Sequence, residues 1–127
     1  MEKNTEIIID KLGAKLVNIP QPVHLLAICT GGITVAKMLT AYLRKKKIKV
    51  AYYEVWTNVI KGKSYIWKTN FKKKDYIGSA VIVDDVIWHG THLPSIKKYL
   101  KKLDSSKKIY IASLLDCNHK SDFAVFR

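Results

Sequence analysis

The sequence has 127 residues, of which 48% are hydrophobic, and a formal net charge of +13. This length fits one domain, residues 1–127, and the apolar fraction is too high for a disordered chain. No apolar stretch approaches the roughly 20 residues of a membrane-spanning helix, and the first residues lack the apolar region of a secretory signal. We therefore expect one globular domain with no membrane partner.

Hydrophobic periodicity predicts alternating helices and strands in chain order. The predicted elements are a helix at 5–16, a strand at 23–29, a helix at 33–46, a strand at 48–55, a polar loop or β-excursion at 58–74, a strand at 80–83, a helix at 91–103, a strand at 109–115 and a short edge strand at 123–126. This alternation predicts an α/β fold, a three-layer parallel sheet with helices on both faces.

The two cysteines, Cys29 and Cys117, have no metal-ligand spacing. In a chain of this size they indicate free thiols in a reducing compartment rather than a disulfide framework. We expect a cytoplasmic location.

Most of the positive charge comes from clusters of basic residues. The clusters are 44–47, 72–74, 97–98, 101–102 and 107–108. They fall at the ends of predicted elements rather than along one stripe, which favours solvated helix faces and loops. A footprint for nucleic acid or another polyanion is the alternative.

Two adjacent carboxylates, Asp84 and Asp85, follow the predicted strand at 80–83. Open α/β sheets bind ligands at the carboxyl ends of their strands. Two neighbouring like charges cost energy without a partner, so we expect them to accept hydrogen bonds from sugar hydroxyls. The alternative is an ordinary surface Asp-Asp turn.

The loop after the acidic pair consists of Trp88, His89, Gly90, Thr91 and His92. Backbone N–H groups around the glycine, the threonine hydroxyl and protonated histidines can bind a phosphate, and the threonine can cap the next helix. The indole can stack on a base. The spacing of the two histidines also occurs in metal sites but is nonspecific, so we predict no metal held by protein side chains.

A second turn, Thr30-Gly31-Gly32, lies between the first predicted strand and the second predicted helix. Two glycines let the backbone approach a ligand, and the helix N-terminus offers free N–H groups to an anion. A Gly-Gly turn at this position is common, so the motif gains weight only from the acidic pair one strand–helix–strand unit further on.

The segment around the acidic pair resembles the ribose-phosphate signature of the type I phosphoribosyltransferases. In that signature a strand, two acids and two apolar residues precede Asp-Thr-Gly-x-Thr. Both acids, the apolar pair Val86 and Ile87, and Gly90 match. The Asp, the Thr and the second Thr of the signature are replaced by Trp88, His89 and His92.

The resemblance extends in order over residues 23–126 and is closest to the small hypoxanthine- and xanthine-guanine phosphoribosyltransferases of purine salvage. It implies that the Thr30–Gly32 turn is the pyrophosphate loop and that Ser64-Tyr65 belongs to a mobile loop closing over the site. It also implies that Phe123 stacks on a purine and that Lys120 replaces a missing base-binding lysine. The alternatives are a plain polar hairpin around Ser64 and an edge strand that closes the core.

The function implied by this resemblance is transfer of a 5-phosphoribosyl group between phosphoribosyl pyrophosphate and a purine-like base. The catalytic residues would be Asp84 and Asp85, and Mg²⁺ would enter with the pyrophosphate. We expect a phosphorylated sugar or nucleotide ligand, a homo-oligomer, and weak turnover because Trp88 replaces an acid. The alternative is a non-catalytic protein of the same fold that binds a nucleotide, RNA or a protein partner.

Overall fold

The computed structural model describes residues 3–127, which form one six-stranded sheet with helices on both faces. The elements are α1 (Lys3–Leu16), β1 (Val23–Cys29), α2 (Gly32–Lys45), β2 (Val50–Ile60), β3 (Lys63–Thr69), β4 (Ser79–Ile87), α3 (Leu93–Leu103), β5 (Ile109–Asp116) and β6 (Phe123–Phe126), with a short 3-10 turn at Lys73–Asp75. The strand order is β3-β2-β1-β4-β5-β6. Only β3 runs antiparallel to its neighbour.

Two apolar cores lie on opposite faces of this sheet. Helices α1 and α2 cover one core, which includes Leu12 and Leu39, and α3 covers the other with Ile96 and Leu100. The predicted three-layer α/β fold is confirmed.

The central strands are apolar along their length because both of their faces are covered. Along β1, Leu25 and Ala27 belong to the core under α1 and α2, whereas Leu26 and Ile28 belong to the core under α3. A strand buried on both sides has no polar alternation, as is typical of parallel sheets.

The strand order creates a crevice at the carboxyl edge of the sheet. From β1 the chain passes to β2 on one side, and β4 later pairs with β1 on the other side. The pairing of β1 with β4 ends at Ala27 and Val83, while β4 stays paired with β5 as far as Asp116. The gap therefore opens where the acidic pair begins, at the kind of switch point where α/β proteins bind ligands.

Several predicted boundaries shift. Strand β4 ends at Ile87 rather than at residue 83, since its pairing with β5 outlasts its pairing with β1. The polar segment at 58–74 is a β-excursion, in which β2 and β3 form a hairpin around Lys61 and Gly62. Both turn residues have positive φ angles, 51° and 78°, as tight two-residue hairpin turns require.

No helix within residues 3–127 is both long enough and apolar enough to cross a lipid bilayer.

Candidate functional site

The acidic pair lies half-buried on β4, beside the gap between β1 and β4. The backbone N–H of Asp85 donates to Asp84 Oδ1 at 2.9 Å, and the N–H of Val86 donates to Asp85 Oδ1 at 2.7 Å. Burial, with the adjacent Asp85 carboxyl, raises the pKa of Asp84 above the ordinary carboxyl range.

No basic side chain within the described part of the chain forms an ion pair with either carboxylate. Among residues 3–127 the one ion pair joins Arg127 to Asp116, at 3.2 Å. Hydroxyl donors or a bound cation would therefore stabilise the charged form of the two carboxylates.

The glycine turn lies against these carboxylates. A Cβ atom at Gly31 would lie 2.7 Å from Asp85 Oδ1 and 3.2 Å from Asp84 Oδ1. A Cβ atom at Gly32 would lie 2.3 Å from the Val83 carbonyl oxygen, so glycine is required there for α2 to pack on β4. No side chain caps α2, so N–H groups of its first turn are available to an anion beside Thr30 and Gly31, which are exposed. The structure thus brings together the two motifs that the sequence singles out.

The loop at residues 88–92 borders the same crevice. A cavity of about 400 Å³ lies between this loop, Asp84 and the end of β1. The Asn118 side chain donates to the Trp88 carbonyl, and the Leu93 N–H donates to the Gly90 carbonyl at 3.1 Å. Gly90 has a φ of 70°, which glycine adopts without strain. The Trp88 side chain is 61% exposed at the mouth of the cavity.

The capping role predicted for Thr91 is not what the structure has. Helix α3 begins at Leu93, two residues later than predicted, and its N-cap residue His92 makes no side-chain cap. His92 instead forms a hydrogen bond through Nδ1 to the hydroxyl of buried Thr57, at 2.8 Å. That imidazole is held against β2, while His89 remains exposed in the loop.

The first turn of α3 is capped from a distant strand. The N–H of Ser95 donates to the hydroxyl of Ser64 at 3.1 Å. Ser64 and Tyr65 lie in β3 rather than in a loop, so the pair belongs to a regular hairpin docked on α3. The Tyr65 side chain is 51% exposed.

The two residues predicted on the base side lie in different surroundings. Lys120 is close to the loop, since a Cβ atom at Gly90 would lie 3.3 Å from Lys120 Cγ. Phe123 packs against the core under α1, where its ring stacks on Tyr110 with centroids 6.2 Å apart. The edge-strand alternative describes the position of Phe123, because β6 is the last strand of the sheet.

Sequence reasoning missed Asp116, which organises the turn carrying Lys120. Its carboxylate is fully buried and accepts the N–H groups of Lys120 at 2.9 Å and Ser121 at 2.7 Å. Burial alone would raise the pKa of Asp116, but these bonds and the charge of Arg127 hold it below its usual range. An aspartate at a strand end before a polar turn was the available signal, and it does not distinguish a buried acceptor from a surface residue.

The chain offers few ligands for a resident metal. Within residues 3–127 no group of three or more His, Cys, Asp or Glu side chains could hold an ion. A carboxylate pair without a cationic partner does fit Mg²⁺, which is commonly held by one or two carboxylates, water and the phosphates of a substrate.

Among the comparisons with known proteins, only solved structures match this chain. No protein-family model and no curated protein matches the sequence. A purine phosphoribosyltransferase from Pyrococcus horikoshii is 27% identical with a TM-score of 0.79, over 100% of this chain and 85% of that chain. A hypoxanthine phosphoribosyltransferase from Staphylococcus aureus is 17% identical with a TM-score of 0.78, over 98% and 72% of the two chains.

A third structure, the Trypanosoma cruzi hypoxanthine phosphoribosyltransferase in complex with the product IMP, is 13% identical with a TM-score of 0.73, over 94% and 73% of the two chains. The resemblance seen in the sequence motifs is confirmed: this chain has the fold of the purine phosphoribosyltransferases over nearly its whole length.

Proposed function

We propose that this protein transfers a 5-phosphoribosyl group between phosphoribosyl pyrophosphate and a purine-like base in the crevice between β1 and β4. The observation that carries the proposal is the close approach of Gly31 to both carboxylates. A Cβ atom at Gly31 would lie 2.7 Å from Asp85 Oδ1 and 3.2 Å from Asp84 Oδ1. An anion-binding turn and a hydroxyl-accepting pair thereby share one site, as a phosphorylated sugar with a pyrophosphate group requires. The structural likeness to purine phosphoribosyltransferases supports the same reaction class.

In this proposal each segment binds one part of the ligand. Asp84 and Asp85 accept hydrogen bonds from the ribose hydroxyls, the loop at 88–92 binds the 5-phosphate through its N–H groups, and the turn at 30–32 binds the pyrophosphate. Three anchors along one ligand fix its orientation, which supplies much of the catalytic effect when the protein does no covalent chemistry.

The reaction breaks the bond from ribose C1 to pyrophosphate and forms a bond from C1 to a ring nitrogen of the base, which releases its proton to water. Positive charge develops on the ribose as the first bond breaks, and the two carboxylates stabilise it. Asp84 and Asp85 are the residues that would hold a Mg²⁺ ion entering with the pyrophosphate, and such an ion would neutralise charge on the leaving group.

The residues that would contact the base lead us to expect slow turnover. Trp88 stands where the family signature has an acid, and its indole can stack on a purine but cannot accept a proton. Lys120, beside the loop, is the candidate for binding an exocyclic oxygen of the base.

The replacement of the signature acid by Trp88 favours a second candidate function, a non-catalytic protein that binds a nucleotide or phosphoribosyl ligand in this crevice. The exposed Trp88 would then be a binding residue only. A homo-oligomeric assembly and a cytoplasmic location stay predictions under either function.

The test is ligand-induced stabilisation measured by thermal denaturation. Ribose 5-phosphate, and phosphoribosyl pyrophosphate with Mg²⁺, should raise the Tm of the parent protein, because a ligand that binds only the folded state stabilises it. The Asp84→Asn/Asp85→Asn double variant should fold and lose this stabilisation. The matched control, Asp10→Asn/Asp104→Asn, removes two carboxylates far from the crevice and should keep it.

Equal stabilisation of the acidic-pair variant and the parent would rule out the crevice as the phosphoribosyl site. Release of pyrophosphate on addition of a purine base then separates the two candidates. Release that depends on Asp84 and Asp85 supports the transferase, and binding without release supports the non-catalytic protein.

A further inference from the structure

One face of the β2–β3 hairpin is covered by α3, and the opposite face is open. Ser64 accepts the N–H of Ser95 at the start of α3 at 3.1 Å, and Ile66 packs against the core under that helix. Side chains alternate along a strand, so Lys63 and Tyr65 point to the opposite face. Within residues 3–127 no hydrophobic residue of β3 packs against the core under α1 and α2. The helices on that side of the sheet therefore leave this face exposed.

A bulge in β3 brings Trp67 to the same open face. Along β3, pairing with β2 passes from Ile66 to Lys68 and leaves Trp67 as the extra residue. Lys68 lies opposite Trp56, and in a bulge two residues of one strand oppose one residue of its neighbour. The rings of Trp67 and Trp56 accordingly have their centroids 5.7 Å apart.

The neighbours of Trp56 show where the helix layer ends. Trp56 Nε1 donates to the Glu54 carboxylate at 3.3 Å, and the hydroxyl of Tyr52 donates to the other oxygen of Glu54 at 2.8 Å. These three side chains lie at every second residue of β2 and share one face of the strand. Tyr52 packs against the core under α1 and α2. Beyond Tyr52 the same face continues, uncovered, to the hairpin turn.

Large apolar side chains are concentrated on this surface, which we call the hairpin face. Three of them have more than half of their surface exposed, since Ile60 and Trp67 are each 58% exposed and Tyr65 is 51% exposed. Exposed apolar side chains grouped on one face mark a binding surface, whereas single scattered ones do not. The hairpin face consists of Trp56, Ile60, Lys63, Tyr65, Trp67 and Lys68.

Positive charge flanks the aromatic rings of the hairpin face. Lys63 precedes Tyr65 and Lys68 follows Trp67 along β3, and both lysines are exposed. Neither lysine forms an ion pair in the described part of the chain. The carboxylate on this side of β2, Glu54, is half-buried and already accepts two hydrogen bonds. The exposed part of the face therefore offers cations and aromatic rings together.

We propose that the hairpin face binds single-stranded nucleic acid, with bases stacked on Tyr65 and Trp67 and phosphates beside Lys63 and Lys68. Two residues along a strand are separated by about 7 Å, so each ring has room for a base of its own. Aromatic side chains on an open sheet face are an established platform for unstacked bases, and lysines attract the backbone that joins them. The rings select a strand with free bases over phosphate and other simple anions.

Two other occupants fit this face less well. Lysine is depleted at protein–protein interfaces, whereas here a lysine lies at each end of the pair of rings. A second copy of the chain bound through the same face would bring Lys63 and Lys68 against the same residues of its partner, and like charges in contact are unfavourable. Neither the acidic pair nor the loops at 30–32 and 88–92 belong to the hairpin face, so the proposal stands independently of phosphoribosyl transfer.

The first test measures binding of a fluorescent uridine oligonucleotide of about 8 nucleotides by anisotropy. Tyr65→Leu/Trp67→Leu should bind at least about tenfold more weakly than the parent, because both stacking surfaces are lost. Tyr65→Phe/Trp67→Phe keeps two rings and should stay within about threefold of the parent. The matched control is Phe126→Leu, which removes a 51% exposed aromatic ring from β6 at the other edge of the sheet. It should bind like the parent.

The second test separates phosphate contacts from net charge. Lys63→Gln/Lys68→Gln should reduce the slope of binding against salt concentration by about 1, since single strands give about 0.7 per phosphate contact. Lys45→Gln/Lys47→Gln makes the same charge change at exposed positions at the end of α2 and should leave the slope nearly unchanged. Equal losses of affinity in the two lysine variants would overturn the proposal, because binding would then follow net charge alone.

Competition and self-association supply the remaining outcomes. Inorganic polyphosphate, and a duplex at equal phosphate concentration, should compete weakly because neither offers free bases. Competition by either as strong as that of the unlabelled single strand would contradict the proposal. So would an unchanged affinity in Tyr65→Leu/Trp67→Leu, or absence of oligonucleotide binding to the parent. Dimerisation of the parent in size-exclusion chromatography that this double variant abolishes, without oligonucleotide binding, would assign the hairpin face to a second copy instead.

Discussion

At the scale of single residues, the free energy of unfolding depends on the pH at which Asp84 loses its proton. Its half-buried side chain and the carboxyl of Asp85 both disfavour the charged form, so its pKa is raised. The folded protein therefore binds this proton more tightly than the unfolded chain does. Stability is lost as pH rises from the ordinary carboxyl range toward the raised pKa.

Asp84→Asn removes that loss. Without divalent cations, the free energy of unfolding of the variant should rise relative to that of the parent between about pH 4 and pH 8, by on the order of 1 kcal/mol. The Tm of the variant minus the Tm of the parent should therefore become more positive over this range. Thermal denaturation at a series of pH values measures this difference. A difference that stays constant or decreases with pH would contradict the assigned pKa direction.

Asp104→Asn is a control of opposite sign. Hydrogen bonds from Ser106 lower the pKa of Asp104, so its contribution to stability is present above the unfolded pKa and lost as pH falls. The Tm of this variant minus that of the parent should become more negative with rising pH. Opposite trends in the two variants would exclude a general effect of net charge.

The positions of candidate site residues could be predicted where a backbone pattern fixes them. Asp84 and Asp85 follow the apolar half of β4, the Gly31-Gly32 turn follows β1, and parallel strands bring their carboxyl ends to one edge. The surroundings of Phe123 could not be predicted, because strand alternation leaves open which face of an edge strand is covered.

At the scale of elements, α3 depends on the hairpin for its N-terminal cap. Helix N-termini leave N–H groups without intrahelical partners, and here the hydroxyl of Ser64 accepts the one from Ser95. The N-cap residue His92 contributes no side-chain bond to the helix. The hairpin therefore stabilises α3.

Ser64→Ala should lower the free energy of unfolding by about 1 kcal/mol, because it removes this cap. The matched control is Thr91→Ala, which changes the residue that the sequence favours as the cap but that makes no such bond. It should cost much less. Urea denaturation of both variants measures the two free energies, and a larger loss for Thr91→Ala would reverse the assignment.

Element types could be predicted more reliably than element ends. Helices α1 and α2 and strands β1 and β6 lie within a few residues of their predicted bounds. Thr91 and Pro94 resemble a normal capping pattern, so the sequence predicts a start of α3 two residues before the observed one. The cap comes from a strand 31 residues away in sequence, and local pattern carries no such information.

At the scale of the whole molecule, the strand order decides which parts of the sequence meet. The crevice forms because β1 and β4 are neighbours, although α2, β2 and β3 separate them in the chain. The cavity between the β2–β3 hairpin and α3 likewise gathers lysines from three separate segments. In the sequence, the lysine clusters at element ends favour dispersed, solvated charge. The sequence pattern does not show which clusters meet, because the relative placement of hairpin and helix is a tertiary property.

A crystal structure with phosphoribosyl pyrophosphate and Mg²⁺ at saturating concentrations tests the central claim most directly. The account predicts ribose hydroxyls within hydrogen-bond distance of Asp84 and Asp85, the 5-phosphate against the N–H groups of residues 88–92, and the pyrophosphate at the turn 30–32. A crevice without ligand under these conditions, or a ligand held only outside the crevice, would contradict it.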